Sequence, residues 1–223
     1  MFKKVLVANR GEIAVRIIRT LREMGIASVA VYSTADKDSL HVQIADEAIA
    51  VGGVKPTDSY LNMKNILSAA LLTGSEAIHP GYGFLSENAL FAEMVGEVGI
   101  KWIGPRPDTI ELMGNKANAR EEMRQAGVPV IPGSDGFIRD FSEAKVVADR
   151  IGYPLLLKAA AGGGGKGMRF VYSEDELSDK FDDAQNEARL SVGDDQMYIE
   201  KVMEHVRHIE MQLLRDENGH VIY

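Results

Sequence analysis

The stretch Pro154-Leu-Leu-Leu-Lys158-Ala-Ala-Ala-Gly162-Gly-Gly-Gly-Lys166-Gly-Met168-Arg-Phe-Val-Tyr172 places a glycine-rich loop between two short apolar runs. Both runs are typical of strands, so the loop is predicted to join two strands of one sheet. Glycine lets the backbone approach a ligand closely, and consecutive backbone N–H groups can then face an anion. The stretch predicts a flap over a phosphate group, with a mobile surface turn of the same composition as the alternative.

Two familiar phosphate loops do not fit this stretch. A Walker loop needs Ser or Thr after its lysine and runs into a helix, whereas Lys166 is followed by Gly167 and a strand pattern. The dinucleotide fingerprint also requires a helix after its glycines, because the helix N-terminus receives the pyrophosphate. If the stretch is a phosphate flap, it is therefore of a different kind, in which a strand–loop–strand hairpin folds over a nucleotide, and a mobile surface turn stays the alternative.

The composition excludes several classes of protein. The chain has 223 residues, a formal charge of −8 and 45% hydrophobic residues, which is typical of a globular protein without a basic face for nucleic acid. It has no cysteine, so disulfides, thiolate metal sites and cysteine nucleophiles are excluded within it. The apolar run at the N-terminus is too short for a signal peptide, and we expect a cytoplasmic protein.

The first 115 residues alternate strand and helix patterns. An apolar strand at residues 3–8 leads through a turn into a helix whose apolar residues recur from Ile13 to Met24, and Gly25 lies where a helix-ending glycine belongs. Strand patterns follow at 27–32, 48–51, 76–79 and 101–104, with helix patterns at 60–72 and 87–98. This alternation predicts a Rossmann-like, doubly wound parallel sheet, and therefore the α/β class.

A smaller α+β region follows a helical tract at about 107–126 and a Pro/Gly-rich segment at 127–133. Its patterns predict helices at 142–150 and 174–190, and strands at 155–159, 168–172 and 197–201. The alternation from Ile209 to Arg215 then predicts a strand, with a turn at 216–219 and a return strand that stops at Tyr223. Because an unfinished strand leaves unpaired backbone groups, we expect the chain to be part of a longer polypeptide.

Four motifs occur in order along the chain and together indicate a known protein family. They are Asn9-Arg-Gly-Glu-Ile-Ala14, His79-Pro-Gly-Tyr-Gly-Phe-Leu-Ser-Glu-Asn88, Met113-Gly-Asn-Lys116 and the glycine loop. With them the chain closely resembles biotin carboxylase, the ATP-grasp component of acetyl-CoA carboxylase and related biotin-dependent carboxylases. The resemblance covers the N-terminal half of a family member. It implies an N-terminal domain at 1–115 and a partial ATP-grasp domain at 116–223, with a lid subdomain at about 131–203 and the first hairpin of the large subdomain at 204–223.

The resemblance also implies the chemistry. Family members use ATP and bicarbonate to form carboxyphosphate, which carboxylates biotin on a carrier protein. Phosphoryl transfer depends mainly on positioning and on cations that neutralise phosphate oxygens, so lysines, a glycine flap and Mg²⁺ or Mn²⁺ are suitable groups. In the family the metal and bicarbonate ligands follow position 223. We therefore assign no catalytic residue and no metal ligand within this chain, and expect the chain alone to be inactive.

The ATP-binding residues that the resemblance implies fall into three groups. Lys116 and Lys158 match lysines that contact ATP, and Lys158 follows three leucines, where a buried charge is costly unless an anion pairs with it. Gly164 and Gly165 match the part of the flap whose backbone amides lie over the phosphates. The segment Glu200-Lys201-Val202-Met203 matches the part that joins the lid to the rest and holds adenine through backbone groups and Lys/Glu side chains, and His208 matches a histidine near the nucleotide. The implied residues are Lys116, Lys158, Gly164, Gly165, Lys166, Met168, Glu200, Lys201, Val202, Met203 and His208.

Several of these residues have ordinary alternatives. The family often has arginine at the position of Lys166, and lysine keeps the charge but not the bidentate geometry, so Lys166 is a secondary candidate. A lysine in a helical tract, such as Lys116, is commonly a solvated charge, and a lone histidine such as His208 is commonly structural or exposed. His79 lies in a turn with proline and glycine neighbours, where a structural role outweighs a catalytic one.

The expected partners are the biotin carboxyl carrier protein, a carboxyltransferase and a second copy of the full-length protein. Acetyl-CoA is the first choice of final acceptor, and propionyl-CoA, pyruvate and urea remain open because their carboxylases share this region. A stand-alone nucleotide-binding or regulatory module is an alternative from another class. A different ATP-grasp ligase is disfavoured by the motifs at Asn9 and His79.

Overall fold

The computed structural model describes residues 1–114, 116–159, 168–192 and 195–223. For residues 116, 117, 191 and 192 only the backbone is described. The chain divides into two compact units, Met1–Glu122 and Met123–Tyr223. We describe each unit by itself.

The first unit is built on a five-stranded parallel sheet. The strand order is 3-2-1-4-5, so the chain extends the sheet on one side of the first strand and then returns to the other side. Ligands of such sheets bind where the order reverses, at the carboxyl ends of the strands. The strands are β1 (Lys4–Val7), β2 (Ala27–Ser33), β3 (Glu47–Gly52), β4 (Ala77–His79) and β5 (Lys101–Trp102).

Helices cover both faces of this sheet. Val5 and Val7 of β1 belong to one apolar core with Ile18 of the first helix, whereas Leu6 belongs to a second core with Phe91. Because successive strand residues point to opposite faces, a strand that is apolar throughout must be buried on both sides. The predicted α/β class is confirmed. The helices are α1 (Gly11–Glu23), α2 (Leu40–Ile44), α3 (Met63–Leu72), α4 (Ala89–Glu97) and α5 (Pro107–Gly114).

Local signals set several helix ends in this unit. Asn62 and Asn88 cap α3 and α4, because each side-chain oxygen accepts a hydrogen bond from the backbone N–H three residues later. Gly25 follows α1 with φ of +70°, as expected for a helix-ending glycine. The helix predicted from Tyr60 begins instead at Met63, since the Asn62 cap starts it there, and Tyr60 is buried before it.

The second unit contains a three-stranded antiparallel sheet, and α6 (Lys116–Gln125) leads into it. Two helices pack on one side of the sheet, where Leu155, Leu157 and Ile199 lie in one core with Phe181. The strand order is β7-β6-β8, so the strand before the glycine loop lies in the middle. The elements are α7 (Phe141–Ile151), β6 (Leu155–Ala159), β7 (Arg169–Val171), α8 (Leu177–Val192) and β8 (Met197–Lys201).

The last segment differs from its prediction. The strand predicted over 209–215 is shorter, because only β9 (Leu214–Arg215) pairs with β10 (Val221–Ile222). Ile209, Met211 and Leu213 alternate as a strand would, but they are 59–73% exposed. An alternating strand needs a paired neighbour and an apolar surface, and within the described residues the segment 209–213 has neither.

Candidate functional site

One face of the second unit's sheet carries the lysine predicted to bind phosphate. Leu156, Lys158 and Glu200 alternate with the core residues of β6 and β8 and therefore point away from the helices. Leu156 is paired with Phe170 on one side and with Glu200 on the other, and Lys158 is paired with Tyr198. We call this surface the Lys158 face: Leu156, Lys158, Phe170, Tyr198 and Glu200.

Lys158 is held in place by its neighbours on this face. Its Nζ lies 2.5 Å from Oε2 of Glu200 and 5.7 Å from the ring centroid of Tyr198. The side chains of Lys158 and Glu200 are 24% and 20% exposed, so the pair is shielded but open to a ligand. An ammonium has three donors, and a carboxylate engages only part of that capacity. The arrangement can therefore present an oriented cation to an anion on this face.

The two strands joined by the glycine loop carry the other phosphate candidates. Lys158 precedes the loop in β6, and Met168, which is half-buried, directly precedes β7. The strand–loop–strand order predicted around the loop is thus present on its described sides. Gly164, Gly165 and Lys166 lie outside the described residues, as does the side chain of Lys116 at the start of α6.

The residues predicted to hold adenine point in different directions. Glu200 lies on the Lys158 face, whereas Lys201 lies on the opposite, helix-facing side and donates to the carbonyl oxygens of Gly152 and Tyr153. Val202 donates its backbone N–H to the carbonyl of Pro154 at 3.1 Å. Met203, the next residue, is 52% exposed. The side chains of Glu200 and Lys201 thus lie on opposite sides of the sheet, and their expected contacts with adenine stay predictions.

His208 belongs to the extended segment that follows β8. Its side chain is 84% exposed, and Nε2 lies 3.0 Å from a carboxylate oxygen of Glu210. Residues 204–208 form neither helix nor strand. The structure thus places His208 at the surface of the second unit, and its expected contact with nucleotide stays a prediction.

The first unit joins two loops at the point where its strand order reverses. The buried side chain of Asn9, after β1, donates to the carbonyls of Pro80 and Tyr82, each at 2.7 Å. After β4, Nδ1 of His79 accepts the backbone N–H of Gly81 at 3.1 Å, and burial lowers the pKa of His79. His79 therefore holds its own turn, as a structural role requires. The motif that begins at Asn9 contributes to the family resemblance, but nothing in the local sequence indicates that its side chain joins these two loops.

Three donors converge on Asp36, after β2. Its Oδ2 accepts from Tyr60 Oη at 2.7 Å and from Ser33 Oγ at 2.9 Å, and lies 3.1 Å from Nη1 of Arg10. Burial alone would raise the pKa of Asp36, but these hydrogen bonds and the Arg10 charge outweigh it and hold the pKa below its ordinary value. Burial and the bond to Asp36 raise the pKa of Tyr60 to about 12.

This network bears on the kind of site. In dinucleotide folds, an acidic residue near this position receives the ribose hydroxyls. Asp36 is instead occupied by protein donors, so its carboxylate stabilises the loop after β2.

A groove of about 700 Å³ lies between α4 and α5 of the first unit. Its lining includes Leu90, Glu93 and Glu111, together with Arg106, which forms an ion pair with Asp108. Among the described residues, none of the predicted nucleotide residues lines it. We favour the Lys158 face as the site because it presents a shielded cation on the strand that leads into the glycine loop.

Two further features concern the described part of the chain. There, no three His, Asp or Glu side chains come together in a way that could hold a metal ion. Within the same ranges, no helix has the length and apolar character needed to span a bilayer.

Sequence profiles divide the chain between two known domains. Residues 1–110 match the biotin carboxylase N-terminal domain. Residues 115–223 match the ATP-binding domain of the carbamoyl-phosphate synthase L chain. Biotin carboxylase 1 of Bacillus subtilis is 56% identical over all 223 residues, which correspond to 50% of that protein. This chain belongs to the biotin carboxylase family.

Solved structures of the family have the same fold. A biotin carboxylase–ATP complex from Campylobacter jejuni matches the whole chain with a TM-score of 0.87 at 49% identity, over 50% of its own length. The biotin carboxylase domain dimer of Hydrogenobacter thermophilus 2-oxoglutarate carboxylase, with MgADP, ADP and bicarbonate, matches it with a TM-score of 0.84 at 53% identity, over 49% of its length. The chain spans about half the length of the relatives it matches.

Proposed function

We propose that this chain is the nucleotide-binding part of a biotin carboxylase, an ATP-dependent ligase that carboxylates biotin on a carrier protein through carboxyphosphate. The observation that carries the proposal is the position of Lys158. Its ammonium lies on an open sheet face, oriented by Glu200, directly before the glycine-rich loop. Membership of the biotin carboxylase family supports the same activity for the full-length protein.

In this proposal the chain binds and orients the triphosphate of ATP. Lys158 pairs with phosphate oxygens, and Glu200 keeps the ammonium at the place where they arrive. A cation that is already positioned costs little reorganisation when charge develops during phosphoryl transfer. Mg²⁺, when bound, would supply positive charge that neutralises phosphate oxygens; the described residues offer no ligand set for it, and no step is assigned to the metal.

The remaining nucleotide contacts rest on the family resemblance. We propose that Lys116, Gly164, Gly165, Lys166, Met168 and His208 also face the nucleotide, and that the backbone of residues 201–203 receives adenine. We further propose that the N-terminal domain ends at residue 115 and that the lid comprises about 131–203. A crystal structure of the full-length protein with ATP would test these contacts directly, because Lys158 and these residues should all lie next to the nucleotide.

The acceptor and the partners are also proposals. Acetyl-CoA is our first choice of final acceptor and rests on the family resemblance, because a name such as biotin carboxylase 1 of Bacillus subtilis specifies no acceptor. Two other relatives, one named for 2-oxoglutarate carboxylase and one for pyruvate carboxylase, are each 53% identical, so those acceptors compete. We propose a biotin carrier protein, a carboxyltransferase and a second copy as partners, in the cytoplasm.

The test compares Lys158→Gln with Lys145→Gln in the full-length protein that contains this chain. Lys145 is also an ion-paired lysine of the second unit, but it pairs with Asp149 and Glu174 at the helices. A charge-assisted hydrogen bond contributes about 1.5–3 kcal/mol, so Lys158→Gln should weaken ATP binding by about 10- to 150-fold. Lys145→Gln should leave it within about twofold.

Two readouts separate the possible functions. Calorimetry gives the ATP affinity, and ATP-dependent incorporation of labelled bicarbonate into free biotin gives the activity. ATP binding without carboxylation by the full-length protein would favour a nucleotide-binding or regulatory module instead. Equal ATP affinity of Lys158→Gln and the unmodified protein would remove the basis of the proposal.

A further inference from the structure

Lys201 occupies a place that its sequence position does not suggest. It ends β8, next to Glu200, yet it follows Met197 and Ile199 in the row of side chains that faces the helices. Its Nζ donates to the carbonyl oxygen of Tyr153 at 2.6 Å and to that of Gly152 at 3.3 Å. The ammonium therefore binds backbone carbonyls on the side of the sheet away from Lys158.

The carbonyl of Gly152 lies at the carboxyl end of α7. Gly152 ends this helix with φ of +72° and donates its N–H to Ala148. Gly152 and Tyr153 directly follow the last helical residue, Ile151, so the ammonium lies beside the C-terminus of α7, where the helix carries partial negative charge and a cation is favourable. Lys201 thus closes the end of α7 from a distant strand.

Backbone bonds hold the same region from both sides. The N–H of Lys201 donates to the carbonyl of Pro132 at 2.8 Å, and the N–H of Val202 donates to that of Pro154 at 3.1 Å. The Lys201 side chain adds the connection to residues 152 and 153. Its ammonium therefore connects the end of β8 to the turn between α7 and β6.

We propose that Lys201 is a positioning residue, which fixes the backbone of residues 201–203 for adenine without touching the nucleotide itself. The inference rests on the proposed function, because it requires that this segment receive the base. Losing the ammonium frees one end of the segment, and the bound state must then order it again. The effect acts on the base, so it is independent of the number of phosphates.

The experiment uses Lys201→Met and Lys201→Arg in the full-length protein that contains this chain, with AMP, ADP and ATP as ligands. Lys201→Met should weaken all three by about the same factor, five- to tenfold, where tenfold corresponds to about 1.4 kcal/mol. Lys201→Arg keeps donors for both carbonyls and should restore affinity to within about threefold. In carboxylation assays Lys201→Met should raise KM for ATP and leave kcat within about twofold.

A matched control separates this role from general loosening of the unit. Lys180 also donates to a backbone carbonyl, that of Phe170 at 2.7 Å, but it connects α8 to β7. Lys180→Met should leave nucleotide affinity within about twofold. Hydrogen exchange at the Val202 amide should accelerate at least tenfold in Lys201→Met and not in Lys180→Met.

Each outcome supports or overturns the inference. A loss that grows from AMP to ATP would mean that Lys201 contacts phosphate directly, and an equal loss in Lys180→Met would mean general loosening of the unit. Unchanged affinity and exchange in Lys201→Met would overturn the inference and leave the proposed function standing. If the unmodified protein binds no nucleotide, the proposed function fails and the inference fails with it.

Discussion

Asp36→Ala should destabilise the first unit by about 2–6 kcal/mol. The substitution removes the acceptor of Tyr60 and Ser33, which are 1% and 0% exposed and cannot turn to water. Each buried hydroxyl left without its acceptor costs about 1–3 kcal/mol. The ion pair with Arg10 adds less than about 1 kcal/mol, because the Arg10 side chain is 47% exposed.

Two further variants isolate the contribution of the Tyr60 hydrogen bond. Tyr60→Phe removes one donor to Asp36 and also the acceptor of the Ser33 N–H, and should cost about 1–2 kcal/mol. The double variant Asp36→Ala/Tyr60→Phe should lose about 1–2 kcal/mol less stability than the sum of the losses in the two single variants. Asp36→Asn keeps an acceptor and should cost less than Asp36→Ala.

The assay is urea unfolding followed by tryptophan fluorescence. The sequence has a single tryptophan, and Trp102 is buried in the first unit with its ring edge-on to Phe91. Its emission therefore reports the unfolding of that unit alone. A loss below about 1 kcal/mol for Asp36→Ala at pH 7 would refute the assignment of this network as a stabilising element.

The pH dependence gives an independent check on the same residue. The pKa of Asp36 is lowered from 3.8, so the folded state favours its charged form. The resulting stability is present above pH 3.8 and is lost as the pH falls through the lower folded pKa. The difference in the free energy of unfolding between the unmodified chain and Asp36→Asn should therefore become smaller below pH 3.8. A difference that stays constant with pH would contradict the mechanism.

Two further predictions concern burial in each unit. Phe181→Ala should destabilise the second unit by about 3–5 kcal/mol, because the side chain is 1% exposed in its core, and hydrogen exchange of β6 amides measures this. A loss under about 1 kcal/mol would mean that the core is not packed around Phe181. Burial lowers the pKa of His79 from 6.5, so the unfolded chain binds its proton first and stability falls as the pH drops below 6.5. The melting temperature, followed by Trp102 fluorescence, should fall between pH 7.5 and pH 5, and it should fall less steeply in His79→Asn. Burial also lowers the pKa of His41, so His41 supplies part of the slope that remains in the variant. An identical slope in His79→Asn and the unmodified chain would contradict this prediction.

The sequence predicted strands and helices accurately where the spacing of apolar residues matches the residues that are buried in the structure. The strands at Leu155–Ala159 and Met197–Lys201 have the predicted bounds, because alternation and apolar character coincide there. The short helix α2 was not predicted, since a helix of five residues has little periodicity to detect. The strand at 209–215 was predicted too long, because alternation alone does not supply a paired neighbour.

By itself the sequence determined the α/β class, the two-part division of strands and helices, the glycine loop between two strands and the family resemblance. Those properties depend on residue type and spacing, which are local. Only the tertiary structure decided that Lys158 meets Glu200, 42 residues away, while Lys201 turns to the end of α7. Strand pairing and register bring distant residues together and decide which face of the sheet each alternate side chain occupies. The sequence of a single strand specifies neither its partner strand nor its register.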